Sequence, residues 1–215
     1  MRAHPLPAWI SRVLARTYPE AGCSLRRTTA LDLLVATILS AQCTDERVNR
    51  VTRPLFRKYR KAEDYARADL RALEQEIRST GFFRMKARHI RETCRRLLKD
   101  HGGRVPGDME SLLALPGVAR KTANVVLGTW FGRAEGVVVD THVFRLSRRL
   151  GLSRGRTPEA VERDLAALFP SREWVLLSHR LIAHGRALCR ARRPLCVKCP
   201  LRSRCPSADL FGGIR

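Results

Sequence analysis

The sequence predicts an all-α protein, and three observations carry that reading. Apolar residues recur at helical spacing, as in Trp9, Ile10, Val13 and Leu14. Helix start and stop signals bracket those segments, among them Thr157-Pro158 and Gly102-Gly103. No β-hairpin pattern, internal repeat or low-complexity tract interrupts them. At 215 residues the chain is one large domain or two small ones, long enough for a substantial core.

A first amphipathic helix is expected over 7–18, followed by a polar connection over 23–30. Residues 30–41 are almost wholly apolar, and a helix apolar on every side belongs at the centre of a bundle. Thr44 or Asp45 can cap a helix over 46–59, which Pro54 should kink or shorten. Short helices are expected over 62–66 and 69–79, then a tight Gly81-Phe82-Phe83 turn and a long basic helix over 85–99. Asp108 starts a short helix that leads to the Pro116-Gly117 turn, and 118–127 reads as the next helix. Val137 to Val139 is too short to classify as strand or buried coil. Helices over 141–150, 157–168 and 171–189 complete the chain.

A formal charge of +22 and a pI near 11.3 exceed what solubility requires. They point to a polyanionic partner, above all nucleic acid, because neutralising phosphates releases counterions. Nothing in the sequence supports a membrane: no long apolar run and no secretory leader is evident, so a cytoplasmic protein is expected, nucleoid-associated if bacterial. Arg outnumbers Lys 36 to 6, and a guanidinium cannot form a Schiff base. A Lys at a helix start therefore stands out.

Lys121 is such a residue. It falls in the first turn of the helix after the Pro-Gly turn, where the macrodipole disfavours an ammonium and should lower its pKa. Asp140 stands at an N-cap position, where backbone N–H groups keep a carboxylate ionised. An amine and a carboxylate at two helix starts suit nucleophilic chemistry. The alternative is a solvated surface lysine and a plain cap. His142 can face a pocket or a phosphate, or simply pack; His179 and His184 read as packing or surface residues.

Cys23, Cys43 and Cys94 read as scattered buried thiols. The other four form Cys189-x6-Cys196-x2-Cys199-x5-Cys205. In a reducing compartment such clustering means metal before disulfides. Structural zinc usually shows two close Cys pairs, and here only one pair is close, so spacing favours an iron–sulfur centre modestly over zinc. The loop between the first two cysteines carries Arg190, Arg192 and Arg193, a candidate phosphate clamp or an ordinary solvated loop.

Taken together, these motifs resemble the endonuclease III family of DNA glycosylases. Residues 115–123, LPGVARKTA, resemble its helix–hairpin–helix, Val139-Asp140-Thr141-His142 its catalytic aspartate segment, and the four-Cys spacing its [4Fe–4S] loop. Ser40-Ala41-Gln42 and Thr44-Asp45 also fit, and the resemblance runs from about residue 8 to 206 with the motifs in order. It implies a bilobed all-α helix–hairpin–helix glycosylase fold. Residues 27–134 would form a six-helix barrel domain, and 1–26 with 135–215 the iron–sulfur domain.

The resemblance further implies a monomer that acts on double-stranded DNA, excising oxidised pyrimidines and then nicking abasic sites as a lyase. Lys121 would be the nucleophile, Asp140 the essential carboxylate, and Cys189, Cys196, Cys199 and Cys205 the ligands of the [4Fe–4S] cluster. Gln42 would fill the gap left by an extruded nucleotide, Phe82 would wedge near the opposite strand, and the backbone around Gly117 and Ala119 would hold a phosphate.

Two positions depart from the family pattern. Ala119 replaces a Gly, which strains the turn if φ is positive there and crowds a phosphate otherwise. Phe82 is bulkier than the Leu often found at its position. A mismatch-adenine glycosylase of the same superfamily generally lacks the hairpin Lys, so Lys121 argues against that rival. A non-catalytic DNA-binding or redox-sensing module would not need both Lys121 and Asp140.

Overall fold

The helices fall where caps and apolar spacing put them. The computed structural model describes residues 5–211. Its elements are α1 (Pro5–Thr17), α2 (Ala30–Leu39), α3 (Asp45–Lys58), α4 (Ala62–Ala66), α5 (Leu70–Glu76), α6 (Phe83–His101), α7 (Met109–Leu113), α8 (Arg120–Trp130), α9 (Thr141–Arg149), α10 (Pro158–Leu168), α11 (Trp174–Ala187) and α12 (Ala208–Phe211). Short 3-10 turns occur at Arg78–Thr80, Ser171–Glu173, Cys196–Lys198 and Arg202–Arg204. Among the described residues there is no strand, and Val137 to Val139 is coil.

The chain divides into two units, 24–133 and the combination of 1–23 with 134–215. In the first, α2 is the buried centre and touches α3, α6 and α8. Leu33, Leu34, Ala36 and Leu39 on it are wholly enclosed. Thr29 starts α2 with a capping box, accepting from the Asp32 amide while Asp32 accepts from the Thr29 amide. The long helix α6 carries α4 and α5 on its flank.

Pro54 does not end α3, which runs four residues past it. Burial of Val48, Val51, Thr52 and Leu55 along one face holds the helix through a residue that costs on the order of 3 kcal/mol in a helix interior. The last predicted helix is also subdivided: a 3-10 turn precedes α11, which stops at Ala187, two residues short of Cys189.

The second unit has its own core. Ile10 and Leu14 of α1 meet Val143 and Leu146 of α9, Val161 and Leu165 of α10, and Leu177 and Leu181 of α11. Val137 is fully buried in this cluster and Val139 packs against it, which fixes the approach to Asp140. Among the described residues, no helix is long and apolar enough to cross a membrane.

Candidate active site and cysteine-lined cavity

The hairpin before α8 is braced from α6. Thr93 donates its hydroxyl hydrogen bond to the Pro116 carbonyl at 2.7 Å, and Arg96 donates to the Ala114 carbonyl at 3.2 Å. Gly117 has φ +76°, and a Cβ there would stand 2.6 Å from Nδ1 of His89. Conformation and space both require glycine at this turn. Ala119 is the N-cap of α8 with φ −86° and ψ 166°, ordinary extended backbone, so the strain considered for it does not arise. Its side chain makes no capping hydrogen bond, and the first turn holds no acidic residue. Lys121 stands exposed in that turn, two residues beyond the cap.

Two further exposed residues in this unit have unusual backbones. Gln42 has φ 54° and Phe82 has φ 46°; among the described residues they are the non-glycine positions with positive φ. Phe82 is also the N-cap of α6, offers no capping hydrogen bond, and is 60% exposed. Close to both loops lies Lys86, a residue that reading the sequence missed. Its ammonium is buried and donates to the Leu39 and Thr80 carbonyls, each at 2.8 Å. The available signal was a Lys on the stripe shared with Ile90, Thr93 and Leu97, the buried face of α6.

In the second unit Asp140 caps α9 as expected. Its Oδ1 accepts from the backbone N–H groups of His142 and Val143, both at 2.8 Å, which keeps Oδ2 for other partners. His142 is half-buried against α11: a Cβ on Gly185 would come within 2.7 Å of its Nδ1. Arg145 donates to that same Nδ1 at 3.2 Å, so Nδ1 is the acceptor. Burial lowers the pKa of His142, opposed by Asp140 and by a hydrogen bond with the Gly185 backbone, while Arg145 and Arg186 push the same way as burial.

The second half of α9 is tied to the cysteine loop by two arginines one turn apart. Arg145 donates to the Cys189 carbonyl from Nη2 at 2.9 Å. Arg149 donates to the Arg190 and Ala191 carbonyls, both at 2.7 Å, and reaches Cys189 Sγ at 3.4 Å. Arg190, Arg192 and Arg193 themselves point to solvent. No local sequence signal marks Arg145 or Arg149, because their acceptors lie about forty residues away.

All four C-terminal cysteines line one small cavity of about 30 Å³, otherwise walled mainly by Leu146, Leu150, Leu188 and the side chains of Arg149 and His184. All four are free thiols. Among the described residues no three His, Cys, Asp or Glu side chains converge as ligands of a single metal ion. Burial raises the Cys199 and Cys205 thiols above the usual range, and the neighbouring cysteines push further the same way. Ionising these thiols together would need compensating positive charge, such as a metal centre supplies.

His184, expected to be a packing or surface residue, is buried beside this cavity. Its Nδ1 is 3.0 Å from the Tyr18 hydroxyl and its Nε2 is 3.4 Å from Cys199 Sγ. Burial lowers its pKa to about 4, so the ring is neutral at pH 7. The Tyr18 hydroxyl and the Cys199 sulfur thus engage both ring nitrogens, one as donor and one as acceptor.

Comparison with known proteins adds a second line of observation. A family model described as HhH-GPD superfamily base excision DNA repair protein matches residues 35–171. The chain is 55% identical over 197 residues to endonuclease III of Synechocystis sp., spanning 92% of this chain and 90% of that protein. It is 46% identical over 189 residues to endonuclease III of Bacillus subtilis, with 87% and 86% covered. Among solved structures, a non-covalent endonuclease III–DNA complex superposes with a TM-score of 0.90 at 44% identity, covering 94% of this chain and 95% of that one. A trapped endonuclease III–DNA covalent intermediate with an estranged adenine gives 0.89 at 44% identity and the same coverage.

Proposed function

The chain belongs to the endonuclease III family, within the HhH-GPD superfamily of base-excision DNA repair proteins, and from that premise we propose the reaction and the residues that carry it. The substrate is duplex DNA with an oxidised pyrimidine, or with an abasic site where a base is already lost. A stacked base hides its sugar, so the nucleotide must first rotate out of the duplex. The neutral amine of Lys121 then attacks C1′. The bond from C1′ to the base breaks, its electron pair leaves with the base, and the base takes up a proton. Asp140 steadies the positive charge on the sugar and can accept the proton that the amine sheds.

The C1′–O4′ bond then opens, with the ring oxygen taking up a proton, and the imine so formed acidifies the C2′ hydrogen. Loss of that proton expels the 3′ phosphate by β-elimination, and water releases Lys121. No net electrons move in this sequence. Residues 24–133 are read as the barrel domain that carries the hairpin, and the remainder as the cluster domain. The unpartnered N-cap of α8 suits a DNA phosphate, since helix starts present unsatisfied N–H groups. Gln42 and Phe82 enter the duplex at the lesion, and the Arg190, Arg192 and Arg193 loop adds phosphate contacts.

The cysteine cavity suits a [4Fe–4S] cluster held by Cys189, Cys196, Cys199 and Cys205. The supporting observation is that four free thiols share one cavity without three of them closing on a single ion. When bound, the cluster supplies a four-point cross-link that stiffens the basic loop. His184 and Arg149 donate toward two of the sulfurs, as neighbours of ligating thiolates commonly do. A genomic substrate and reduced thiols both suit the cytoplasm.

The observation that carries the catalytic reading is an exposed Lys121 in the first turn of α8, just past a glycine-built hairpin. Borohydride reduction during reaction with abasic duplex should crosslink the parent protein to DNA, and Lys121→Ala should give no adduct. Asp140→Asn keeps an N-cap oxygen and removes the charge; it should fold normally and lose on the order of 10²-fold or more in base release. An adduct of parental yield from Lys121→Ala would refute the assignment.

A further inference from the structure

Gln42 and Phe82 sit in separate loops, forty residues apart, yet one buried side chain holds the backbone behind both. Lys86 Nζ donates to the carbonyl of Leu39, three residues before Gln42, and to that of Thr80, two residues before Phe82. Each loop also has its own turn: Cys43 N–H bonds Ser40 O at 3.1 Å, and Gly81 N–H bonds Arg78 O at 3.4 Å. Those bonds shape each loop by itself. The Lys86 ammonium joins the two.

The burial of this charge asks for a reason. Lys86 is only 2% exposed, and desolvation holds its pKa below the ordinary range, partly offset by the nearby Cys43 thiol. An apolar side chain of equal length would fill the space without burying a charge. What the ammonium adds is two directed bonds to carbonyls, one of them on the last residue of α2, where positive charge suits the helix terminus. The loops that follow these carbonyls carry left-handed backbones, Gln42 at φ 54° and Phe82 at φ 46°, which non-glycine residues hold only where the surroundings enforce them.

We propose that Lys86 is a positioning residue that locks the Gln42 and Phe82 loops in one register, so that both side chains enter the duplex as a single two-pronged probe. The proposal rests on the reading that Gln42 and Phe82 contact DNA. A lesion search by a rigid pair differs from one by two independent side chains. The pair engages only where the helix yields on both strands together, which favours sites already weakened by damage.

The test is a double-mutant cycle read by affinity for a duplex with a tetrahydrofuran abasic analogue, which β-elimination cannot cleave. Gln42→Ala and Phe82→Ala should each weaken binding by about tenfold, and the double variant should lose about tenfold as well, far short of about 100-fold. In a Lys86→Met background the two losses should multiply. A 2-aminopurine beside the analogue should then lose the fluorescence rise that reports unstacking, while affinity for undamaged duplex stays the same. Far-UV circular dichroism and the thermal midpoint verify that Lys86→Met is folded. Should it not fold, the cycle in the parent decides: losses that multiply there overturn the proposal, as does coupling that survives in Lys86→Met. If neither single substitution weakens binding, the DNA-contact reading itself falls.

Discussion

At position 117 a single hydrogen separates a tolerated turn from a broken one. Gly117 needs φ +76°, and any Cβ would run into the His89 side chain at 2.6–2.9 Å. Gly117→Ala should therefore cost about 2 kcal/mol from the left-handed backbone and the contact together, lowering the thermal midpoint by about 4–8 °C. DNA affinity should fall with it, as the turn can no longer present α8. Ala119 behaves differently. Its extended backbone accepts any residue, so Ala119→Gly should leave the midpoint almost unmoved and report only whether the methyl crowds a phosphate. Tighter binding of lesion duplex by Ala119→Gly is the expected result, and an unchanged Kd would remove the crowding argument. The Pro-Gly turn was legible in the sequence because turn chemistry is local. The φ of Ala119 was not, because Gly in a family pattern signals either conformation or space, and only coordinates separate them.

Helix α9 shows what an element adds to its residues. It begins at the Asp140 cap and, five and nine residues later, holds the cysteine loop through Arg145 and Arg149. The two proposed centres of the second unit, carboxylate and thiol cavity, thus share one rigid rod of nine residues. Arg149→Met should keep the helix, since Met is a good helix former, but release the Arg190 and Ala191 carbonyls and the contact with Cys189. Iron should then pass to a chelator several-fold faster than from the parent; an unaltered release rate would show that the loop holds itself. Caps such as Thr44, Asp108, Asp140 and Thr157 could be read in advance because each bonds within its own turn. The continuity of α3 through Pro54 could not, since burial from other parts of the chain decided it. Arg145, Arg149 and Lys86 were missed for the same reason, as were the partners of His184, whose packing alone was foreseen: Cys189, Leu39 and Tyr18 lie far along the sequence from them.

For the whole molecule the governing quantity is charge. A net +22 over 215 residues sets a strong attraction to any duplex, damaged or not, so affinity alone cannot select lesions. Selection must come from the residues that read a flipped nucleotide, while the basic surface sets residence on DNA. Salt separates these contributions. Each phosphate neutralised by a cation adds about −0.9 to the slope of log K against log salt. Replacing Arg190, Arg192 and Arg193 together with Gln should flatten that slope by about 2.7 if all three meet phosphates. The loss should be equal for lesion and undamaged duplex, leaving discrimination intact, because backbone contacts carry no information about the base. Borohydride trapping at saturating protein should be unaffected, since Lys121 and Asp140 are untouched. A slope unchanged by the triple substitution would mean that these exposed guanidiniums face only water, and that the attraction comes from the remaining basic residues.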